Sequence, residues 1–103
     1  MRTTFICSPY SGEVERNTYY ARQAMRDSFK RNEAPFAPHL LYTQVLDDSD
    51  PKQRNVGIKA GLHYMFFADV VAVYNDYGIS PGMEKEIAAA MRAGIPVEYR
   101  KLL

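Results

Sequence analysis

Val70-Val71-Ala72-Val73-Tyr74 is a continuous apolar run rich in β-branched residues, and Asn75-Asp76-Tyr77-Gly78-Ile79-Ser80-Pro81-Gly82 follows it directly. A strand apolar on both faces belongs at the centre of a parallel sheet, where helices cover it from either side. Ser80-Pro81 pairs an N-cap with proline at the first helical position, so a helix follows and runs to Gly94. Pro96-Val97-Glu98-Tyr99 then reads as the last strand. Upstream, Asp50-Pro51 opens another helix by the same logic. Ile58, Gly61, Leu62, Met65 and Phe66 form its apolar face, and it ends near Phe67.

The first third of the chain repeats this alternation. Thr3 to Cys7 reads as a short buried strand, and it gives way to Ser8-Pro9-Tyr10-Ser11-Gly12, with Ser11 the expected N-cap of the first helix. That helix spans about Glu13 to Asn32, with Ala21, Ala24, Met25, Ser28 and Phe29 on its packed face. Phe36-Ala37, between Pro35 and Pro38, is a short second strand. His39 to Asp50 is a long connection, and long loops in small domains are often functional. Strands alternating with helices specify an α/β fold. The expected architecture is a small flavodoxin-like or Rossmann-like three-layer sandwich, a mostly parallel four-stranded sheet with three crossover helices, forming one domain over residues 1–103.

Composition narrows the function. Thirteen Lys and Arg against twelve Asp and Glu give a net charge of +1, without the basic stripe a nucleic-acid binder carries. One cysteine excludes a disulfide framework or a cysteine-based zinc site, and fits a reducing, cytoplasmic setting. No apolar stretch reaches the length of a membrane span, and Met1-Arg2-Thr3-Thr4 leads into a strand rather than a signal peptide. No His/Asp/Glu spacing resembles a metal site, and no cofactor fingerprint is present. Asp47-Asp48-Ser49-Asp50 is explained by capping of the helix behind it. Eight tyrosines without a tryptophan is the one compositional oddity.

In open α/β sheets the ligand crevice lies beyond the carboxyl ends of the strands, where strand order reverses. Three segments converge there: Ser8 to Gly12, His39 to Gln44, and Asn75 to Gly82. The last opens onto a helix N-terminus, which suits a phosphate or carboxylate, and Gly82 would let a ligand approach the backbone. Gly78 and Gly82 could equally serve only the turn. Ser8, Pro9, Tyr10, Ser11, Gly12, Asn17, His39, Asn75, Ser80, Pro81 and Gly82 are therefore the candidate binding residues. Tyr10 offers an aromatic face and a hydroxyl at the loop tip, and Tyr42, Tyr74 and Tyr77 fall near the same edge. On a helical wheel Met83, Ile87, Ala90, Met91 and Gly94 define the packed face. Glu84 and Glu86 flank it on opposite sides, and the wheel does not choose between them. Both also complement the helix dipole. Cys7, inside a strand, reads as an inert buried thiol, and His63 as a partly exposed helix residue.

Phe5-Ile6-Cys7-Ser8-Pro9-Tyr10-Ser11, with Asn17 and Ala21-Arg22, resembles the opening of the nucleoside 2-deoxyribosyltransferase-like superfamily. Ala68-Asp69-Val70-Val71-Ala72-Val73 is similar to its central strand. Ser80-Pro81-Gly82-Met83-Glu84-Lys85-Glu86-Ile87, with Ala90 and Gly94-Ile95-Pro96-Val97, is similar to its loop-helix signature. The middle, Pro38 to Asp48, resembles a phage and bacterial branch of unknown function. The resemblance implies cleavage or transfer at an N-glycosidic bond of a nucleoside, nucleotide or related ribosyl compound. Glu86 would be the nucleophile, Tyr10 would orient the nucleophile or the sugar, and the Ser80–Gly82 turn would hold a 5′-phosphate or hydroxyl. Transferases of the superfamily carry Asp-Ser-Gly-Thr where this chain has Ser80-Pro81-Gly82-Met83. That departure favours the alternative, a non-catalytic sensor or sequestering protein for a nucleotide-derived small molecule. A domain this small implies a shallow crevice, and the resemblance implies a site completed across a subunit interface, so a homodimer or larger homo-oligomer is expected, with Tyr64, Phe66 and Phe67 as the contact surface.

Overall fold

The computed structural model describes every residue from Met1 to Leu103. Strands β1 (Arg2–Cys7), β2 (Glu33–Phe36), β3 (Val70–Tyr74) and β4 (Val97–Arg100) form one sheet in the order β2-β1-β3-β4, every pair parallel. Helices α1 (Val14–Lys30), α2 (Pro38–Leu41), α3 (Pro51–Met65) and α4 (Pro81–Arg92) connect them, with one 3-10 turn, Tyr42–Gln44, after α2. The chain goes from β1 outward to β2, then returns past β1 to β3. Strand order therefore reverses between β1 and β3, and their carboxyl ends frame the crevice.

Alternation along the strands builds two cores. Phe5, Cys7, Val71 and Val73 face α3 and α4, where Met65, Met83, Ile87, Ala89 and Ala90 meet them. Ile6, Ala72 and Tyr74 face α1, against Tyr20 and Ala24. β3 is buried at all five positions, as a central strand covered on both faces must be. The expected three-layer α/β sandwich is the observed one, and the sheet is parallel throughout.

Local expectations fail at identifiable places. Ser11 does not cap α1: Glu13 holds the cap position without a side-chain hydrogen bond, and Ser11 is exposed in the loop. The second strand is not Phe36-Ala37 but Glu33–Phe36, and Pro35 sits in it because β2 is an edge strand with a side free of ladder bonds. The long connection holds α2, a fourth helix. On α1, Phe29 is 59% exposed while Tyr20 takes its place in the core. On α4, Met91 is 68% exposed and Ala89 is buried. On α3, Ile58 and Phe66 are exposed, and only Gly61 and Met65 are fully buried.

Across the α1 side of the sheet lies a charged cluster that no periodicity announces. Glu33 is 1% exposed and accepts hydrogen bonds from both terminal nitrogens of Arg100 at 2.8 Å. Arg2 at 2.6 Å and the Ser28 hydroxyl at 2.8 Å complete its shell. Arg100, 5% exposed, also donates to Glu98 at 2.6 Å and to the Tyr74 hydroxyl at 3.1 Å. These bonds, the Arg100 pair first, hold the Glu33 carboxyl at about 2.

Candidate active site

The rotation of α4 decides which glutamate enters the site. Ala89 in and Met91 out means that the buried arc is turned toward the Glu86 side of the helix. Glu86 is consequently half-buried, whereas Glu84 is exposed. Glu86 opens into a cleft whose other walls come from α2, the following turn and α3. Its carboxylate forms no ion pair and accepts no nitrogen or oxygen donor of the protein, and burial raises it to about 7. The neighbouring thiol of Cys7 opposes that rise.

His39, Tyr42 and Thr43 form one wall, and Arg54, Gly57 and Gly61 the other. One glycine sets the width of the cleft on the Leu46 side. A β-carbon on Gly57 would come within 3.3 Å of Leu46, and one on Gly61 within 3.5 Å of Pro38. Bare backbone at Gly57 lets Leu46 lie close against α3, whereas the Gly61 distance is ordinary contact. The cleft volume is about 60 Å³, well below the roughly 300–1,000 Å³ of a small-molecule site.

His39 lines the cleft. Its ring stacks on Tyr10 with centroids 5.3 Å apart. Burial lowers its basicity; Arg54 acts in the same direction and Asp48 against it. A neutral imidazole therefore joins the β1 loop to the cleft wall. Tyr10 packs on the outer side of His39 and does not line the cleft itself. Ser8 and Pro9 are buried at the end of β1, and the Ser8 hydroxyl is without a partner. Gly12 is exposed, with a positive φ of 93° that a side chain rarely adopts.

Asn17 is committed to holding this loop. Its amide donates to the carbonyls of Tyr10 at 2.9 Å and Ser11 at 3.3 Å, and its oxygen accepts from Arg16. Asn75 lies at the end of β3, where its side-chain oxygen accepts from Lys101 at 3.1 Å. Ser80 caps α4 by accepting from the Met83 N–H at 3.2 Å, and the Ser80 N–H faces the Met83 sulfur. Pro81 has no N–H, and the Glu84 amide is bonded to the Ser80 carbonyl. Gly82 is left as the one first-turn amide for a ligand. None of Asn75, Ser80, Pro81 and Gly82 lines the Glu86 cleft.

The tyrosines divide. Tyr42 lines the cleft, but Tyr74 is fully buried and donates to Asp27 at 2.8 Å. Tyr77 packs on Tyr20 and beneath Arg16, away from the cleft. The α3 wall was missed by sequence reading. The signal was available: Arg54, Gly57, Ile58 and Gly61 at offsets 0, 3, 4 and 7 make one helix face with bare backbone in it.

Solved structures share this fold. A 2-deoxyribosyltransferase from Bacillus psychrosaccharolyticus superposes with a TM-score of 0.69 at 20% identity, over 96% of this chain and 72% of the other. A 2-deoxyribosyltransferase from Leishmania mexicana gives 0.62 at 14% identity, over 98% of this chain and 65% of the other. At these identities the likeness establishes a nucleoside 2-deoxyribosyltransferase-like fold. The chain spans just under two-thirds of the Leishmania protein. No curated protein matches the sequence. Residues 2–100 match the profile of a domain of unknown function, DUF7768, and the chain belongs to that family.

Proposed function

We propose that this protein cleaves or transfers the N-glycosidic bond of a nucleoside, nucleotide or related ribosyl compound, with Glu86 as nucleophile. One observation carries the reading: an unpaired, half-buried carboxylate opening into a cleft near the strand-order reversal of a deoxyribosyltransferase-like fold. An anion stripped of water and given no strong donor in exchange is a better nucleophile than a solvated one. Its oxygen bonds to C1′ as the C1′–N bond breaks, and the base leaves with the bonding pair and takes up a proton. Water, or a second base, then attacks C1′ and displaces the carboxylate. His39, held neutral, positions the Tyr10 loop beside the cleft rather than supplying a charge.

The narrow cleft points to a site completed by a second copy of the chain. Tyr64, Phe66 and Phe67 are all more than half exposed, and Tyr64 continues through Phe36 to Tyr42 at the cleft, with centroids 5.3 and 6.1 Å apart. That aromatic strip is the proposed homo-oligomeric contact.

Incubation with nucleosides and 5′-nucleotides, followed by chromatography for free base, tests the chemistry. Base release that Glu86→Gln reduces by three or more orders of magnitude is expected. A second reading, a binder without chemistry, is favoured by the way Ser80 and Met83 spend their polar atoms on the helix cap. Reversible binding with the ligand recovered intact, unchanged in Glu86→Gln, would establish that reading instead.

A further inference from the structure

We infer that a second cavity, on the α1 face of the sheet, binds a small aromatic molecule carrying a phosphate monoester. It lies between α1 and the segments that follow β3 and β4, with a volume of about 380 Å³. That is within the roughly 300–1,000 Å³ of small-molecule sites, as the Glu86 cleft is not. Tyr19, Gln23, Arg26 and Lys30 form one wall, at offsets 0, 4, 7 and 11 along a single stripe of α1. Tyr77, Leu102 and Leu103 stand opposite. The two cavities share no residue, so the inference does not depend on the glycosidic reading.

One end of the cavity carries uncompensated positive charge. Arg26 and Lys30 enter none of the protein's ion pairs. Asp27, the carboxylate in the same wall, is committed to the Tyr74 hydroxyl at 2.8 Å and to Arg31 at 2.9 Å. The helix dipole accounts for Lys30 in the last turn of α1, but not for Arg26 a turn further in. Two unpaired cations match a phosphate monoester, which carries about −1.5 to −2, better than a singly charged carboxylate. A guanidinium fork beside an ammonium is also a donor set that phosphate accepts. The other end is aromatic and fixed in place. Tyr20, 5% exposed, closes the floor, bonded to Asp76 through its hydroxyl, and Tyr77 packs on it with centroids 4.7 Å apart. Asp76 also accepts from the Leu102 and Leu103 amides at 2.9 and 3.1 Å, which holds the far wall. Tyr19 and Tyr77 keep exposed ring surface on which a planar group can pack. Tyr19 and Arg26 are about 10 Å apart along the helix axis. A spacer therefore belongs between ring and phosphate, as the ribose of a nucleoside 5′-monophosphate supplies.

Amide NMR of the intact protein titrated with adenosine 5′-monophosphate tests this residue by residue. The amides of Tyr19 to Lys30, Tyr77, Leu102 and Leu103 should shift together and saturate, in the wild type and in Glu86→Gln alike. Adenosine lacks the phosphate and inorganic phosphate lacks the ring, so each should bind this face about tenfold more weakly or worse. Replacing both cations, Arg26→Gln with Lys30→Gln, should weaken the monophosphate by about tenfold, and Tyr19→Ala by several-fold. All three side chains are exposed, so these variants keep the fold. Inorganic phosphate bound as tightly as the nucleotide would reduce the stripe to an ordinary basic patch and overturn the inference. A response confined to His39–Gln44 and α3, no response at all, or undiminished binding by the double variant would overturn it equally. If this face binds as stated but no substrate releases base, the second site stands and the glycosidic reading falls.

Discussion

At the scale of single residues, Glu86 is expensive to keep ionised, and the cost gives it a signature. Its carboxyl is raised from 4.5 to about 7 by burial. Between these values the folded protein binds more protons than the unfolded chain, so the ionisation of Glu86 lowers stability as pH rises through that window. Above about 7 both states are ionised and the penalty is constant. Glu86→Gln removes the penalty. Its melting temperature should exceed that of the wild type at pH 8, with the margin shrinking toward pH 4.5. A margin equal at both pH values would mean that the carboxylate is not desolvated in the folded protein. Catalysis runs the other way: base release needs the anion and should climb through pH 7. The sequence brought two glutamates to the right helix but not the choice between them. A wheel assumes that the apolar residues mark the buried arc. On α4 a small residue, Ala89, is buried and a large one, Met91, is not.

At the scale of elements, the three long helices were legible, while the short α2 and the start of the edge strand were not. Asp50 accepts from the Lys52 N–H and Ser80 from the Met83 N–H, each followed by proline at the first helical position. Local chemistry dictates such starts. β2 fails the same local tests, since Glu33 is charged and Pro35 lacks a donor. Glu33 belongs in the strand only because Arg100, 67 positions away, meets it under α1. No window of neighbouring residues contains that information. The pairing predicts its own test. Glu33→Ala leaves the guanidinium of Arg100 buried beside nothing of opposite charge but Glu98, and should cost about 3–5 kcal/mol in denaturant unfolding. A loss under 1 kcal/mol would mean that water replaces the carboxylate freely. In the wild type the stabilisation is complete above pH 4.5, the ordinary value, and disappears as pH falls through about 2.

At the scale of the whole molecule, the alternation of strands and helices was sufficient for the class of fold, whereas of the three segments expected at the crevice only His39 to Gln44 lines the Glu86 cleft. What the topology leaves open is the volume of that crevice. With Gly57 letting Leu46 close against α3, a cleft of about 60 Å³ has no room for a nucleoside unless a wall moves or another chain extends it. The exposed aromatics are placed for the second solution. Phe67 is 70% exposed and Phe66 59%, just beyond the end of the helix that forms the cleft wall. Burying two such side chains in a symmetric contact contributes about 1.5–3 kcal/mol for each, counted again on the partner. If this strip joins two copies, Phe67→Asp places a charge in an apolar seam and its own copy opposite. Sedimentation should then show the assembly falling to a monomer, with the monomer melting at nearly the wild-type temperature because Phe67 is outside both cores. Base release should fall together with the assembly, in proportion to the monomer fraction. A wild-type chain that sediments as a monomer at micromolar concentration while releasing base would remove the shared site and leave movement of the 38–46 segment as the way in.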